Sequence, residues 1–136
     1  MRCYLLDTGI ASDFIHRRHG VDSRVGDAVL RGDIVGICVP FLCELWSGIK
    51  LSASRDQNVD RMKHALARLR IWPCEVKAGE IYGRLYAELR RMGRPMQVVD
   101  IQIAAIALCL GNCTVVSKDT DLPAVPGLSV ENWATP

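Results

Sequence analysis

The chain has 136 residues, 49% of them apolar, with 17 basic and 15 acidic side chains and a net charge of +2. That length and apolar content provide for one domain with a buried core, expected over residues 1–136, and exclude an intrinsically disordered chain. The apolar run at residues 4–6 is too short for a signal peptide, and the run at 101–110 is about half a membrane span, so a soluble cytoplasmic protein with no membrane contact is expected.

Residues 4–6, "YLL", read as a short buried strand that ends on Asp7. Ile10, Phe14 and Ile15 then recur at near-helical spacing, and Val25, Ala28, Val29 and Leu30 suggest a second short helix stopped by Gly32. "IVGICV", residues 34–39, is apolar and β-branched, as a buried strand should be. Pro40 suits the first turn of a helix that puts Phe41, Leu42, Leu45, Trp46 and Ile49 on one face. Val59, Met62, Leu66 and Leu69 predict an amphipathic helix over 56–70. "IWPCEV", residues 71–76, reads as a strand whose proline assigns it to a sheet edge. Ala78, Ile81, Tyr82, Leu85, Tyr86 and Leu89 mark a long helix ending near Gly93. Asp100 opens a helix that is apolar almost all round and hence central, with Gly111 as its stop. "CTVVS" and "LSVEN" supply two more strands. Strands alternating with helices predict a three-layer α/β/α sandwich on a mostly parallel sheet of about five strands.

Six cysteines invite a zinc or disulfide reading, but they contain no C-x-x-C pair and no histidine stands at ligand spacing from them. Buried, reduced thiols are expected. His16, His19 and His64 fall in polar positions and are expected at the solvated surface.

In parallel sheets ligands bind beyond the carboxyl ends of the strands. Asp7 follows the first strand, Glu44 lies one helical turn past the second, Asp100 sits in the first turn of the buried helix, and Asp119 and Asp121 follow "TVVS". Each has an ordinary structural use: Asp7 and Asp100 as helix N-caps, Asp119 and Asp121 as a turn, Glu44 as a carboxylate at the rim of the core. Together they crowd negative charge at one edge, which a hard divalent cation relieves. Such a cation beside a phosphodiester polarises the phosphoryl oxygen, lowers the pKa of a bound water and offsets charge on the leaving oxygen. With those five acids set aside, 17 basic residues face 10 acidic ones, a surplus suited to nucleic acid. "RRMGR", residues 90–94, is one candidate basic patch, or simply a helix end carrying cations that suit the macrodipole.

The segments "YLLDTGIASDFI", "VPFLCELWSGI", "RRMGRPMQVVDIQIAAIAL" and "TVVSKDTDLPAVPGLSVENW", in this order and spacing, resemble a PIN domain of the VapC toxin type over nearly the whole chain. The resemblance implies a Mg²⁺- or Mn²⁺-dependent endoribonuclease, the toxin half of a toxin–antitoxin pair, with RNA as substrate, a small antitoxin as partner and a homodimeric assembly. It implies Asp7, Glu44, Asp100 and Asp119 as catalytic acids, with Asp7, Asp100 and Asp119 on the metal. Thr8, Ser117 and Asp121 are implied in supporting positions, and Arg90, Arg91, Arg94 and Lys118 are candidate RNA contacts. Val99 stands where the family often has a small polar residue, and Leu122 where it often has an aromatic. The antitoxin tail is expected in a groove near the site; Trp46, Met62, Tyr82 and Tyr86 are candidates for such a surface, though core packing is the commoner use of such residues.

Two rival readings make different demands. A phosphotransfer fold of the phosphatase type needs a second Asp at position 9, which is Gly9, and a receiver needs an Asp at the end of a middle strand, whereas Asp56 and Asp60 lie in a polar helical stretch. A catalytically inactive PIN-like module for RNA binding or assembly would show loss of the acids, and all of them are present.

Overall fold

The computed structural model describes all of residues 1–136. Five strands, β1 (Cys3–Leu6), β2 (Ile34–Cys38), β3 (Arg70–Trp72), β4 (Cys113–Val116) and β5 (Ser129–Glu131), form one sheet in the order β3-β2-β1-β4-β5. Every pairing is parallel. Six helices connect them: α1 (Thr8–His16), α2 (Val21–Leu30), α3 (Val39–Leu51), α4 (Arg55–Leu66), α5 (Val76–Arg91) and α6 (Val98–Leu110). The α/β sandwich expected from the alternation of elements is present, and the sheet is parallel throughout rather than mostly so.

Successive strand residues point to opposite faces. Tyr4, Leu5 and Leu6 are all buried, so both faces of β1 are covered, which is why the strand reads as an unbroken apolar run. The same logic gives α6 its sequence. Five consecutive residues, 103–107, are buried; a helix surrounded by protein needs no polar face. Gly111 ends α6 with a φ of 66°, in the left-handed region that glycine adopts without a Cβ penalty. At the other end of the chain Trp133 is buried against Tyr4, ring centroids 4.8 Å apart.

Several boundaries differ from the sequence reading. Helix α4 ends at Leu66 instead of 70, because Arg70 pairs with Gly36 to begin β3. That strand stops at Trp72, before the proline, and occupies the expected sheet edge. Helix α6 begins at Val98, so Asp100 is its third residue and does not cap it. All six thiols are free, but only Cys38 and Cys113 are buried, while Cys43 and Cys74 are exposed. The three histidines are exposed, as expected. Of the four aromatic and Met candidates for a partner surface, Met62 is in the core, Trp46 and Tyr82 are half-buried, and Tyr86 is exposed.

Candidate metal centre

The strand order places β2 on one side of β1 and β4 on the other, so the chain changes direction between β1 and β4. The crevice beyond the carboxyl ends of those two strands is the expected ligand position in an open parallel sheet. Asp7 follows β1 directly, and its backbone N–H donates to the Val116 carbonyl at the end of β4, 3.0 Å away. One more residue along, Ser117 is also buried. The two chain ends are therefore held together at the crevice by the sheet itself.

Asp7 takes the capping role the sequence offered, and both of its oxygens are engaged. Its Oδ1 accepts a hydrogen bond from the Ile10 N–H at 3.2 Å, capping α1, an interaction of about 1 kcal/mol. Its Oδ2 accepts from the Ser117 hydroxyl. Ser117 Oγ in turn accepts from the Asp119 N–H at 2.9 Å, and Asp119 Oδ1 accepts from the Asp121 N–H at 2.8 Å. One relay of short-range bonds thus runs from the cap of α1 into the turn after β4, fixing Asp7 and Asp119 relative to each other.

Burial pushes the Asp7 carboxyl above the ordinary range, and the nearby Asp119 charge adds to this, against hydrogen bonds from Ser117 and Ile10 and the charge of Lys118. Asp100 is half-buried, and its carboxyl is raised first by burial and then by the charges of Asp119, Asp7, Glu44 and Asp121, in that order. Three other segments therefore bring their carboxylates within electrostatic reach of Asp100. Glu44 corrects one expectation: it is exposed on α3, at the open side of the site, rather than sheltered at the rim of the core. Asp121 is exposed as well.

These carboxylates do not close into a ready-made cage; no three acidic, His or Cys side chains stand together in metal-holding geometry. A small hard cation that takes oxygen ligands does not need one. Mg²⁺ is typically bound by one or two carboxylates and retains several waters, leaving positions for substrate phosphate. The all-oxygen donor set and the raised carboxyls fit such a cation: charge brought to Asp100 relieves the repulsion that burial amplifies.

The expected RNA-contacting cations divide. Arg90, Arg91 and Arg94 are exposed at the end of α5 and in the loop leading to Asp100; Arg90 lies over the Tyr86 ring, 5.4 Å from its centroid. Lys118, in contrast, is exposed but paired within the chain. Its Nζ is 2.8 Å from Oδ2 of Asp13. Asp13 escaped the sequence reading, yet it is buried and also 3.2 Å from the His19 ring. The signal was present: Asp13 falls three residues after Ile10 and next to Phe14, in the buried phase of α1. A carboxylate in an apolar phase must have found a partner. Thr8 is exposed at the start of α1, beside the crevice.

The family model of the PIN domain matches residues 4–128. The ribonuclease VapC2 of Haemophilus influenzae is 30% identical over 131 residues, spanning 96% of this chain and 97% of that protein. The ribonuclease VapC2 of Rickettsia felis is 27% identical over 130 residues, 96% of this chain and 97% of that protein. The solved structure of VapBC2 from Rickettsia felis, bound to a DNA fragment from their promoter, superposes with a TM-score of 0.90 at 27% identity, covering 96% of this chain and 98% of that one.

Proposed function

The chain belongs to the PIN domain family and is an endoribonuclease of the VapC toxin type; from that premise we propose that Asp7, Asp100 and Asp119 hold the divalent cation, Mg²⁺ or Mn²⁺, on which cleavage depends. The observation that carries this reading is that Asp7 and Asp119 share the Ser117 hydroxyl beyond the carboxyl ends of β1 and β4, with Asp7, Glu44, Asp119 and Asp121 all near enough to raise the half-buried Asp100 carboxyl. Bound there, the cation would polarise the phosphoryl oxygen and offset charge on the leaving oxygen.

The protein's own groups have distinct tasks in this reading. Ser117 orients Asp7 by donating to Oδ2 and orients the Asp119 backbone by accepting its N–H. The Ile10 N–H fixes the other Asp7 oxygen. Thr8, exposed next to Asp7, faces the space where substrate enters. Glu44, exposed on α3, lines the same cavity as Thr8 and faces the substrate from the solvent side. Arg90, Arg91 and Arg94 attract the phosphate backbone toward the loop before Asp100.

The partner is a small antitoxin protein, and a homodimer of a single nuclease domain over residues 1–136 belongs to the same reading. No helix of the chain is long and apolar enough to cross a membrane; cytoplasmic residence is part of the proposal. Incubating purified protein with total RNA, with Mg²⁺ or Mn²⁺ and then with EDTA, tests the reading. Cleavage that requires the cation and disappears in Asp7→Asn and Asp100→Asn supports it. Specific RNA binding without cleavage under any cation would replace it with an inactive PIN-like binding module.

A further inference from the structure

The end of the sheet opposite the acidic crevice carries a pair of cysteines that the metal site does not use. Cys3 is the first residue of β1 and Cys113 the first of β4. The parallel register sets them directly opposite each other. Neighbouring strands run about 4.8 Å apart, inside the Cα separation of roughly 4.4–6.8 Å that a disulfide spans. Both side chains point to the same face, and the Cys3 thiol donates to the Cys113 sulfur at 2.7 Å. No other two cysteines are register partners. Cys38 stands opposite Trp72, and Cys43, Cys74 and Cys109 lie outside the strands. Cys113 is buried and Cys3 half-buried, each directly preceded by an exposed residue, Asn112 and Arg2. A small reagent can therefore reach Cys3 from solvent, with Cys113 sheltered behind it.

The two thiols differ in a way that orders a reaction. Burial raises both. At Cys3 the hydrogen bond with Cys113 and the charge of Arg70 oppose the rise. At Cys113 the hydrogen bond and charge of Cys3 add to it. The thiolate is the attacking form, and it forms first at Cys3. Once the Cys3 sulfur is bound to another sulfur its negative charge is gone, and Cys113 loses its proton more easily. The strands also fix what a bond here would do. It would close a loop between residues 110 apart in sequence, and cross-links across long loops restrict the unfolded chain most. Asp7 and Ser117 follow the other ends of β1 and β4, about 13 Å along the strands at 3.3 Å per residue. The bond would hold the two central strands together without touching the acids.

We propose that Cys3 and Cys113 are a redox modification site, at which a low-molecular-weight disulfide of the glutathione type reversibly cross-links β1 to β4. The Cys3 thiolate attacks one sulfur of the reagent, forming a mixed disulfide and expelling one small thiolate. Cys113 gives its proton to that thiolate. The Cys113 thiolate then attacks Cys3 Sγ, breaking the mixed disulfide and expelling the second small thiolate, which takes a proton from water. The two cysteines are oxidised by two electrons, and the reagent is reduced to two small thiols. An excess of small thiol reverses each step. In a reducing compartment the pair stays as thiols, so the cross-link marks a shift to oxidising conditions. None of this depends on the nuclease reading.

The test follows the bond and its effect on the fold. Full-length protein is incubated with oxidised glutathione, capped with an alkylating reagent under denaturing conditions, digested without reduction and mapped by mass spectrometry. The expected product is a pair of peptides joined through Cys3 and Cys113 that dithiothreitol separates. Its formation should raise the melting temperature by at least about 5 °C. Cys43→Ser/Cys74→Ser, which changes only exposed thiols, should show the same rise, and Cys3→Ser should show none. The mapping is done on wild type, so it decides the matter even where Cys3→Ser melts low. Alkylation of both Cys3 and Cys113 after the incubation overturns the proposal. So does a mixed disulfide that stops at Cys3, a bridge from either residue to another cysteine, or a Cys3–Cys113 bridge that leaves the melting temperature unchanged.

Discussion

Lys118 Nζ lies 2.8 Å from the buried Oδ2 of Asp13, joining the turn after β4 to the middle of α1 across 105 residues of sequence. Gly9 makes room for it: a Cβ there would come within 3.3 Å of Lys118 Cε. The ammonium also lowers the Asp7 carboxyl, so the pair both ties the crevice together and tempers its charge.

Replacing Asp13 with Asn should therefore destabilise the fold by about 1–3 kcal/mol, the cost of leaving a buried polar group poorly satisfied. The half-exposed lysine keeps the effect below that of a fully buried pair. The pH dependence has a definite sign. Burial raises the Asp13 carboxyl, but hydrogen bonds and charge from Lys118 and His19 outweigh it and hold it below the ordinary value. A carboxyl depressed in the folded state contributes stability above its unfolded pKa of about 4 and loses it as pH falls through the folded value. Melting temperatures from pH 6 down to pH 2.5 should drop more steeply for wild type than for Asp13→Asn. Parallel curves would show that the ion pair does not contribute to stability.

Asp100 should behave in the opposite way. Burial and neighbouring charges raise its carboxyl, so the ionised form is a liability in protein without metal. Asp100→Asn should raise the melting temperature in EDTA. Wild type should gain about 2.7 kcal/mol at a cation concentration one hundred times Kd, and the variant should gain far less. A metal-dependent shift of wild-type size in Asp7→Asn/Asp100→Asn would remove these residues from the metal site.

How much of this was legible in the sequence follows from the range of each interaction. The strand "YLLD" and the apolar helix after Asp100 were readable because local pattern and burial agree there. The four acidic segments were readable because parallel topology sends every strand's carboxyl end to the same edge. The end of α4 was not: Leu69 continues the helical phase, but Arg70 is drawn into β3 by pairing with Gly36, a tertiary demand. The pairing of Lys118 with Asp13 was not legible either, because the partner lies on another element.

Gly36 gives a purely structural prediction. A Cβ at this position would overlap the Arg70 carbonyl oxygen and lie 2.8 Å from Trp72 Cζ3. The first contact is with backbone and cannot be relieved by a rotamer. Gly36→Ala should separate β3 from β2 and cost about 3 kcal/mol, the upper end of the usual range for overpacking a close-packed interior. Urea unfolding would measure it; a midpoint unchanged from wild type would contradict the strand register.

Asp119 and Asp121 should separate in cleavage assays. Asp119 is the largest like charge acting on Asp100 after burial, and Asp121 the smallest of the four. Asp119 is half-buried and linked through its N–H to Ser117, whereas Asp121 is exposed. Replacement by alanine confuses charge with architecture, because Asp119 Oδ1 also accepts the Asp121 N–H. Asparagine keeps an oxygen for that turn and removes the charge. Single-turnover cleavage across a Mg²⁺ titration should fall by more than about 100-fold in Asp119→Asn, beyond the 10–100-fold typical of a residue that only orients a ligand. Asp121→Asn should stay within that smaller range or show no loss, and both variants should melt near wild type. A greater loss in Asp121→Asn, with its fold intact, would exchange the two roles and move the cation toward the start of the 3-10 turn at Leu122–Ala124.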